Sequence, residues 1–239
     1  MNNITFESLW KSGAHFGHLI RKWNPKMKEY IFMEKNGIHI FDLNKTVECI
    51  EKASSFTRET VRKGGDILFV GTKKQAKDII QKEADRCGMF YVVERWLGGT
   101  LTNFSTIKKS IRHLQQLEKD KSIGYGDNLT KKEKLSLERE RVKLADLHRG
   151  IKDMKRLPDA LIIVDTMNDS IAVQEARRLD IPVVALIDTN ADPALVDYPI
   201  PANDDSIQTI QLIIGELANA IMEAKGSKMV ESHSQEGTN

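Results

Sequence analysis

The sequence is poor in cysteine: Cys49 and Cys87 are the only two in 239 residues. Two isolated thiols cannot build a disulfide framework or a four-ligand zinc site. They suit small, at least half-buried residues in a reducing compartment. Long apolar runs are also missing. The longest, Ala160 to Val164 and Val183 to Ile187, fall far short of the roughly 20 residues a membrane-spanning helix needs. Met1 to Gly13 mixes Asn, Glu, Lys and Trp without an apolar stretch, so no secretory signal is read there. A cytoplasmic address is expected, or translation inside an organelle. Catalytic signatures are lacking too. There is no H-E-x-x-H, no G-x-G-x-x-G and no nucleophile motif. Gly71-Thr-Lys-Lys74 follows a strand and opens a helix, a position that attracts anions, but it is not a phosphate-binding P-loop. No cofactor and no small-molecule substrate are expected.

What the chain has is charge, unevenly spread. The net charge is +2, but residues 1–150 hold 29 Lys and Arg against 19 Asp and Glu, and residues 151–239 hold 7 against 15. Segregation of this kind points to a polyanionic partner on the basic side. The acidic half is expected to face protein or solvent.

Periodicity supplies the elements. Thr5 to Lys11 reads as a short helix, and Asn36-Gly37 between apolar runs as a hairpin. Asn44 reads as a cap for a helix closing at Gly64-Gly65. Asp66 to Gly71, a helix over Lys73 to Cys87 and Tyr91 to Val93 make one βαβ unit. Asp159 to Asp165, Ser170 to Leu179 and Ile181 to Ile187 make a second. In the latter helix Ile171, Ala172, Glu175 and Ala176 share a face. Such crossovers imply a parallel sheet. Tyr198 to Pro201 is extended because of its two prolines. Asp205 to Ala224 is an amphipathic helix, and a disordered tail is expected over 226–239. Residues 104–156 show no strand. Ile107, Ile111, Leu114 and Leu117 fall at helical spacing, Asp120 to Leu129 is a turn-rich break, and Thr130-Lys-Lys-Glu133 is a capping box. Leu137, Leu144 and Ile151 sit seven apart, as do Leu135 and Val142. The predicted fold is thus α/β, with residues 1–103 and 157–225 forming the body and 104–156 an inserted antiparallel helical, coiled-coil hairpin.

Three patterns bear on function. His15, His18, Arg21, Lys22, Trp23, Asn24, Lys26 and Lys28 lie in one segment with no usable periodicity and no carboxylate before Glu29. Cations there can contact phosphates and the rings can stack on unpaired bases; a solvated loop with a buried Trp anchor would look the same. Arg95, Trp96, two glycines, Thr102 and Asn103 precede a helix carrying Lys108, Lys109 and Arg112. This reads either as an RNA-facing loop and helix or as a tight turn with a solvated face, and Thr102 and Asn103 can cap the helix. Lys73 and Lys74 are further phosphate candidates. Lastly, Asp165 and Asp188 end strands, where α/β proteins place their sites. Asp188, Asp204 and Asp205 could hold Mg²⁺ or simply shape turns.

The residues also carry a resemblance. Gly13-Ala-His-Phe-Gly-His18, Trp23-Asn-Pro-Lys-Met27, Asn36-Gly-Ile-His39, Leu68-Phe-Val-Gly-Thr-Lys-Lys-Gln75, Arg95-Trp-Leu-Gly-Gly99, Leu101-Thr-Asn103, Leu157-Pro-Asp-Ala160, Asp188-Thr-Asn190 and Ile200-Pro-Ala-Asn-Asp-Asp205 resemble the signature of the bacterial and organellar ribosomal protein S2 family. They occur in the family's order, nearly to residue 224. Ala191 departs from it, where relatives often have Cys or Ser. The resemblance implies a flavodoxin-like doubly wound domain with an inserted hairpin. It implies a structural, non-enzymatic role between the head and body of the small subunit. The implied partners are small-subunit (16S-type) ribosomal RNA and neighbouring ribosomal proteins including S1, with no membrane involved. Two other readings compete. An α/β enzyme acting on a phosphorylated substrate at the strand ends is opposed by the missing motifs. A coiled-coil adaptor would leave the basic segments idle.

Overall fold

The computed structural model describes residues 4–125 and 129–236, with side chains through residue 226. The turn-rich break at 120–129 lies partly outside the described residues. Helix α1 (Phe6–Ser12) starts with a capping box between Thr5 and Ser8 and ends on Gly13, whose φ of 78° is left-handed. Strands β1 (Phe16–Leu19), β2 (Ile31–Lys35) and β3 (Ile38–Phe41) form an antiparallel sheet in the order β1-β3-β2. Asn36 and Gly37, with φ of 53° and 78°, make the expected tight hairpin turn. The basic segment is therefore not a plain loop. It contains β1 and two 3-10 turns, Ile20–Lys22 and Pro25–Tyr30. Its periodicity is invisible because β1 is four residues long and its register on β3 shifts between Phe16 and Leu19.

Helix α2 (Leu43–Arg62) begins earlier than a cap at Asn44 implies, because the Asp42 carboxylate accepts the Asn44 N–H and caps it. The main sheet follows: β4 (Ile67–Val70), β5 (Phe90–Val92), β6 (Ala160–Val164), β7 (Val183–Ile187) and β8 (Tyr198–Pro201). All pairs are parallel, in the order β5-β4-β6-β7-β8. Numbered among themselves, these strands run 2-1-3-4-5, the flavodoxin-like order. Pro199 and Pro201 are tolerated because β8 is an edge strand. Helix α3 (Lys77–Cys87) starts later than the sequence suggests. Lys73 to Ala76 form a turn in which the Lys73 carbonyl accepts from Ala76 and Lys77.

The sheet is covered on both faces. One cluster joins Ile67, Phe69, Ile162 and Leu186 to α2, to α3 and to α7 (Ile207–Glu236). The other joins Leu68, Leu161, Ile163 and Val183 to α6 (Ser170–Arg178), Met27, Trp96, Leu101, Ile107 and Ile111. Both basic segments thus pack over one face of the sheet. On α6 the buried face is Ala172, Val173, Glu175 and Ala176, with Ile171 outside it. Helix α7 continues past Gly226 to Glu236, beyond the boundary drawn from composition; one helical glycine costs only about 1 kcal/mol relative to alanine.

Helix α4 (Phe104–Ser122) and helix α5 (Lys131–His148) connect in reverse order. Ser110 meets His148, His113 meets Glu140, and Lys121 meets Glu138. Ile107, Ile111, Leu114 and Leu117 are buried. On α5, Leu137 and Leu144 are half-buried while Leu135 and Val142 are exposed, so only one of the two heptad rows faces α4. At the base, Gly150 meets β5: its carbonyl accepts the Tyr91 N–H at 3.1 Å.

Candidate nucleic-acid interface

The carboxyl ends of the parallel strands are where doubly wound proteins bind ligands. Here the chain closes them itself. The His18 N–H donates to Asp188 Oδ1 at 3.2 Å and to Thr189 Oγ1 at 3.0 Å, and the Asn24 N–H to the Thr189 carbonyl at 2.7 Å. Gly17 permits this approach, since a Cβ on it would sit 2.6 Å from Thr189 Cγ2. Asn203 and Ser206 tie the stretch after α1 to the end of β8 through the carbonyls of Ser12, Gly13 and Ala14.

Charge closes the same edge. Lys73 Nζ lies 2.7 Å from Asp204, 2.6 Å from Asp205 and 3.2 Å from Asp165. Burial opposes its charge, but the hydrogen bonds with Asp204 and Asp205 outweigh that and raise its pKa. Asp204 is pushed up to about 7 by burial, with Asp165 and Asp188 adding to the shift. His18 Nδ1 is 3.0 Å from Asp188, and that hydrogen bond raises its pKa. Basic side chains of the chain occupy the three carboxylates named for Mg²⁺: His18 lies against Asp188, and Lys73 against Asp204 and Asp205. Among the described residues, no group of three or more His, Cys, Asp or Glu is placed to hold a metal ion. Lys73 is likewise no free phosphate ligand in this structure. The Asp169 carboxylate takes the Thr72 N–H and hydroxyl, fixing the turn around it.

The residues singled out by sequence now separate into two sets. Arg21, Lys22, Lys28, Lys74, Arg95, Lys109 and Arg112 are exposed and enter no ion pair among the described residues. The others are engaged. Lys26 pairs with Asp192 at 2.7 Å, and that hydrogen bond lowers the Asp192 pKa. Lys108 reaches the Lys155 carbonyl and lies over the Phe104 ring. His15 is buried, stacked on Trp10 and tilted against Phe16, with ring centroids 4.1 and 4.0 Å away. Trp23 is half-buried against His39. Trp96 is buried, its indole N–H donating to Glu175. His15 and Trp96 thus offer no ring face to a base as folded, because composition cannot tell which side of a turn an aromatic takes. Asn24 caps the 3-10 turn by accepting the Lys26 N–H. Asn103 occupies the N-cap of α4 but makes no side-chain cap; its Oδ1 accepts the Ser105 and Thr106 hydroxyls instead.

The residue missed by sequence reading as a site is Glu175. It is buried and accepts five hydrogen bonds from the loop between Trp96 and Thr102. The signal was present: a carboxylate on the same helical face as Ala172 and Ala176 must find donors when buried.

The fold is thus a flavodoxin-like α/β body whose strand ends are closed by its own chain, and seven of the basic residues named from the sequence stay exposed and outside any ion pair among the described residues. Residues 9–224 match the family model for Ribosomal protein S2. Two curated relatives are each named small ribosomal subunit protein uS2. One is from a strain of Treponema pallidum subsp. pallidum and the other from Treponema pallidum strain Nichols. Each is 52% identical over 232 residues, covering 96% of this chain and 80% of its own length. The chain belongs to the ribosomal protein S2 family and is a structural constituent of the ribosome, acting in translation without catalysis.

Proposed function

We propose that this protein binds small-subunit ribosomal RNA between the head and body of the subunit, with Arg21, Lys22 and Lys28 among its phosphate contacts. One observation carries the reading. These three side chains are exposed and enter no ion pair among the described residues, while His18, Lys26 and Lys73 pair with Asp188, Asp192, Asp204 and Asp205. Charge left over in this way serves an outside anion. Lys74, Arg95, Lys109 and Arg112 extend the surface. The test is the salt dependence of affinity for small-subunit ribosomal RNA. Replacing Arg21, Lys22 and Lys28 together by Ala should flatten the slope by about 0.7–0.9 for each phosphate no longer neutralised. Replacing Lys26 alone should change it less, because Asp192 already holds that ammonium. An unchanged slope in the triple variant sinks the reading.

The family resemblance also implies docking of ribosomal protein S1. The acidic half is a poorer candidate for that surface than the sequence suggests, since Asp169, Glu175, Asp188 and Asp204 are buried in bonds within the chain. An apolar depression between α1 and the small sheet fits better. Trp10, Phe16, Phe32 and Met33 line it and are 53%, 47%, 71% and 46% exposed. Contiguous exposed apolar surface marks a protein contact, and we assign S1 to it. The pair α4 and α5 is an inserted coiled-coil hairpin in this reading. Its separable part begins beyond Ile111, because Ile107 and Ile111 belong to the core under the sheet.

A further inference from the structure

The segment from Trp96 to Thr102 is shaped by one carboxylate on another element. Glu175 Oε1 accepts the Trp96 indole N–H at 3.1 Å and the Gly99 N–H at 2.7 Å. Glu175 Oε2 accepts the Leu101 and Thr102 N–H groups, each at 2.9 Å, and the Thr102 hydroxyl at 3.0 Å. Successive backbone N–H groups converging on one point make an anion-binding concavity, and here the anion is built in. Gly99 allows the convergence: its φ of +90° is left-handed, and a Cβ there would lie 3.1 Å from Asn103 Cβ. Burial disfavours the charge of Glu175, yet the donors around it hold its pKa below the ordinary value.

The same loop sets where α4 starts. Asn103 follows it directly as the N-cap, and its carbonyl accepts from Thr106 and Ile107. Arg95 precedes the loop, while Lys109 and Arg112 lie on the first turns after it; all three are exposed. We propose that Glu175 is the positioning residue for these cations: it fixes the loop so that Arg95, Lys109 and Arg112 meet phosphates of ribosomal RNA in one geometry. The inference rests on the reading that these cations face RNA.

Chemistry makes the test sharp. A carboxylate offers acceptors only, and both oxygens are used. Glu175→Gln keeps the shape but turns one acceptor into an NH₂ group. In either amide orientation that group faces at least two donors. The full-length protein is compared as wild type, as Glu175→Gln and with Arg95, Lys109 and Arg112 all changed to Ala. Two quantities are read: exchange of the Gly99, Leu101 and Thr102 amides, and the salt slope of binding to small-subunit ribosomal RNA. The expected result for Glu175→Gln is amide exchange faster by about tenfold or more, with a salt slope shallower by about one to three.

Protected amides in that variant would show that the loop does not depend on the carboxylate and would overturn the inference. Freed amides with an unchanged slope would overturn it too, provided the triple-Ala variant flattens the slope. No effect of the triple variant would remove both the RNA reading of these cations and the inference built on it. If Glu175→Gln does not fold, Glu175→Asp keeps the charge but withdraws both oxygens by one methylene. It should speed exchange of the Gly99, Leu101 and Thr102 amides and lower the slope by less, and no change in either would count against Glu175.

Discussion

Removing the charge of Lys73 tests how the strand ends are held. Lys73→Met keeps the aliphatic stem and deletes an ammonium that is 16% exposed and within 3.2 Å of three carboxylates. Asp205 is 54% exposed and Asp204 is 2% exposed, so the loss concentrates on Asp204. Stripping one partner from a buried pair costs about 3–5 kcal/mol. Asp204 has an escape, because burial and its acidic neighbours already push its pKa up to about 7. A carboxyl raised on folding favours the folded state below its unfolded pKa, and that contribution fades as pH rises through the folded value. In the native protein this loss spans the interval from an unfolded value of about 4 to about 7. Without the ammonium the upper limit moves higher. The variant should therefore be destabilised by about 2 kcal/mol near pH 5.5, where Asp204 is protonated, and by about 3 kcal/mol near pH 8, because linkage through Asp204 adds only about 1.4 kcal/mol for each pH unit above its native value. For a chain of this size the latter lowers Tm by about 6–12 °C. Urea denaturation at the two pH values measures it. Equal losses at both, or a loss under about 0.5 kcal/mol at the higher pH, would refute the reasoning.

Gly150→Ala should destabilise by about 2–4 kcal/mol, through overpacking and a broken hydrogen bond. A Cβ there would lie 2.2 Å from the Tyr91 carbonyl oxygen, on backbone that cannot swing aside. A thermal melt within about 2 °C of wild type would contradict this close approach. Phe32→Ser should weaken capture of S1 by subunits while leaving the melt and ribosomal RNA affinity unchanged; undiminished capture would move the S1 surface elsewhere. Replacing residues 118–143 by a short linker should leave a body with one cooperative transition. Replacing 105–150 removes Ile107 and Ile111 from the core under the sheet, at about 2–5 kcal/mol for each isoleucine. If both deletions melt alike, the boundary is misplaced.

Much of this protein is written locally. Asn36-Gly37 specifies its turn because those two residues accept positive φ. The runs around Phe69, Ile162 and Val184 specify buried parallel strands, because both faces of such a strand must be apolar. The short motifs carry the family in the same way. Tertiary structure decided what depends on partners distant in sequence. Lys73 and Asp204 are 131 positions apart and Glu175 and Gly99 are 76 apart, and no local pattern announces either pair. Charge segregated along the chain became charge neutralised in space, since the folded sheet brings the acidic strand ends of the second half against His18, Lys26 and Lys73 of the first. Trp96 and His15 were legible as aromatic and polar, but the side they face was not. That choice follows from the packing of α1, the small sheet and α6, where a buried ring with a polar edge gains more from a fixed partner or stack than from solvent. Of the basic residues singled out by their sequence pattern, contacts across the fold engage His18, Lys26, Lys73 and Lys108 and leave Arg21, Lys22, Lys28, Lys74, Arg95, Lys109 and Arg112 exposed.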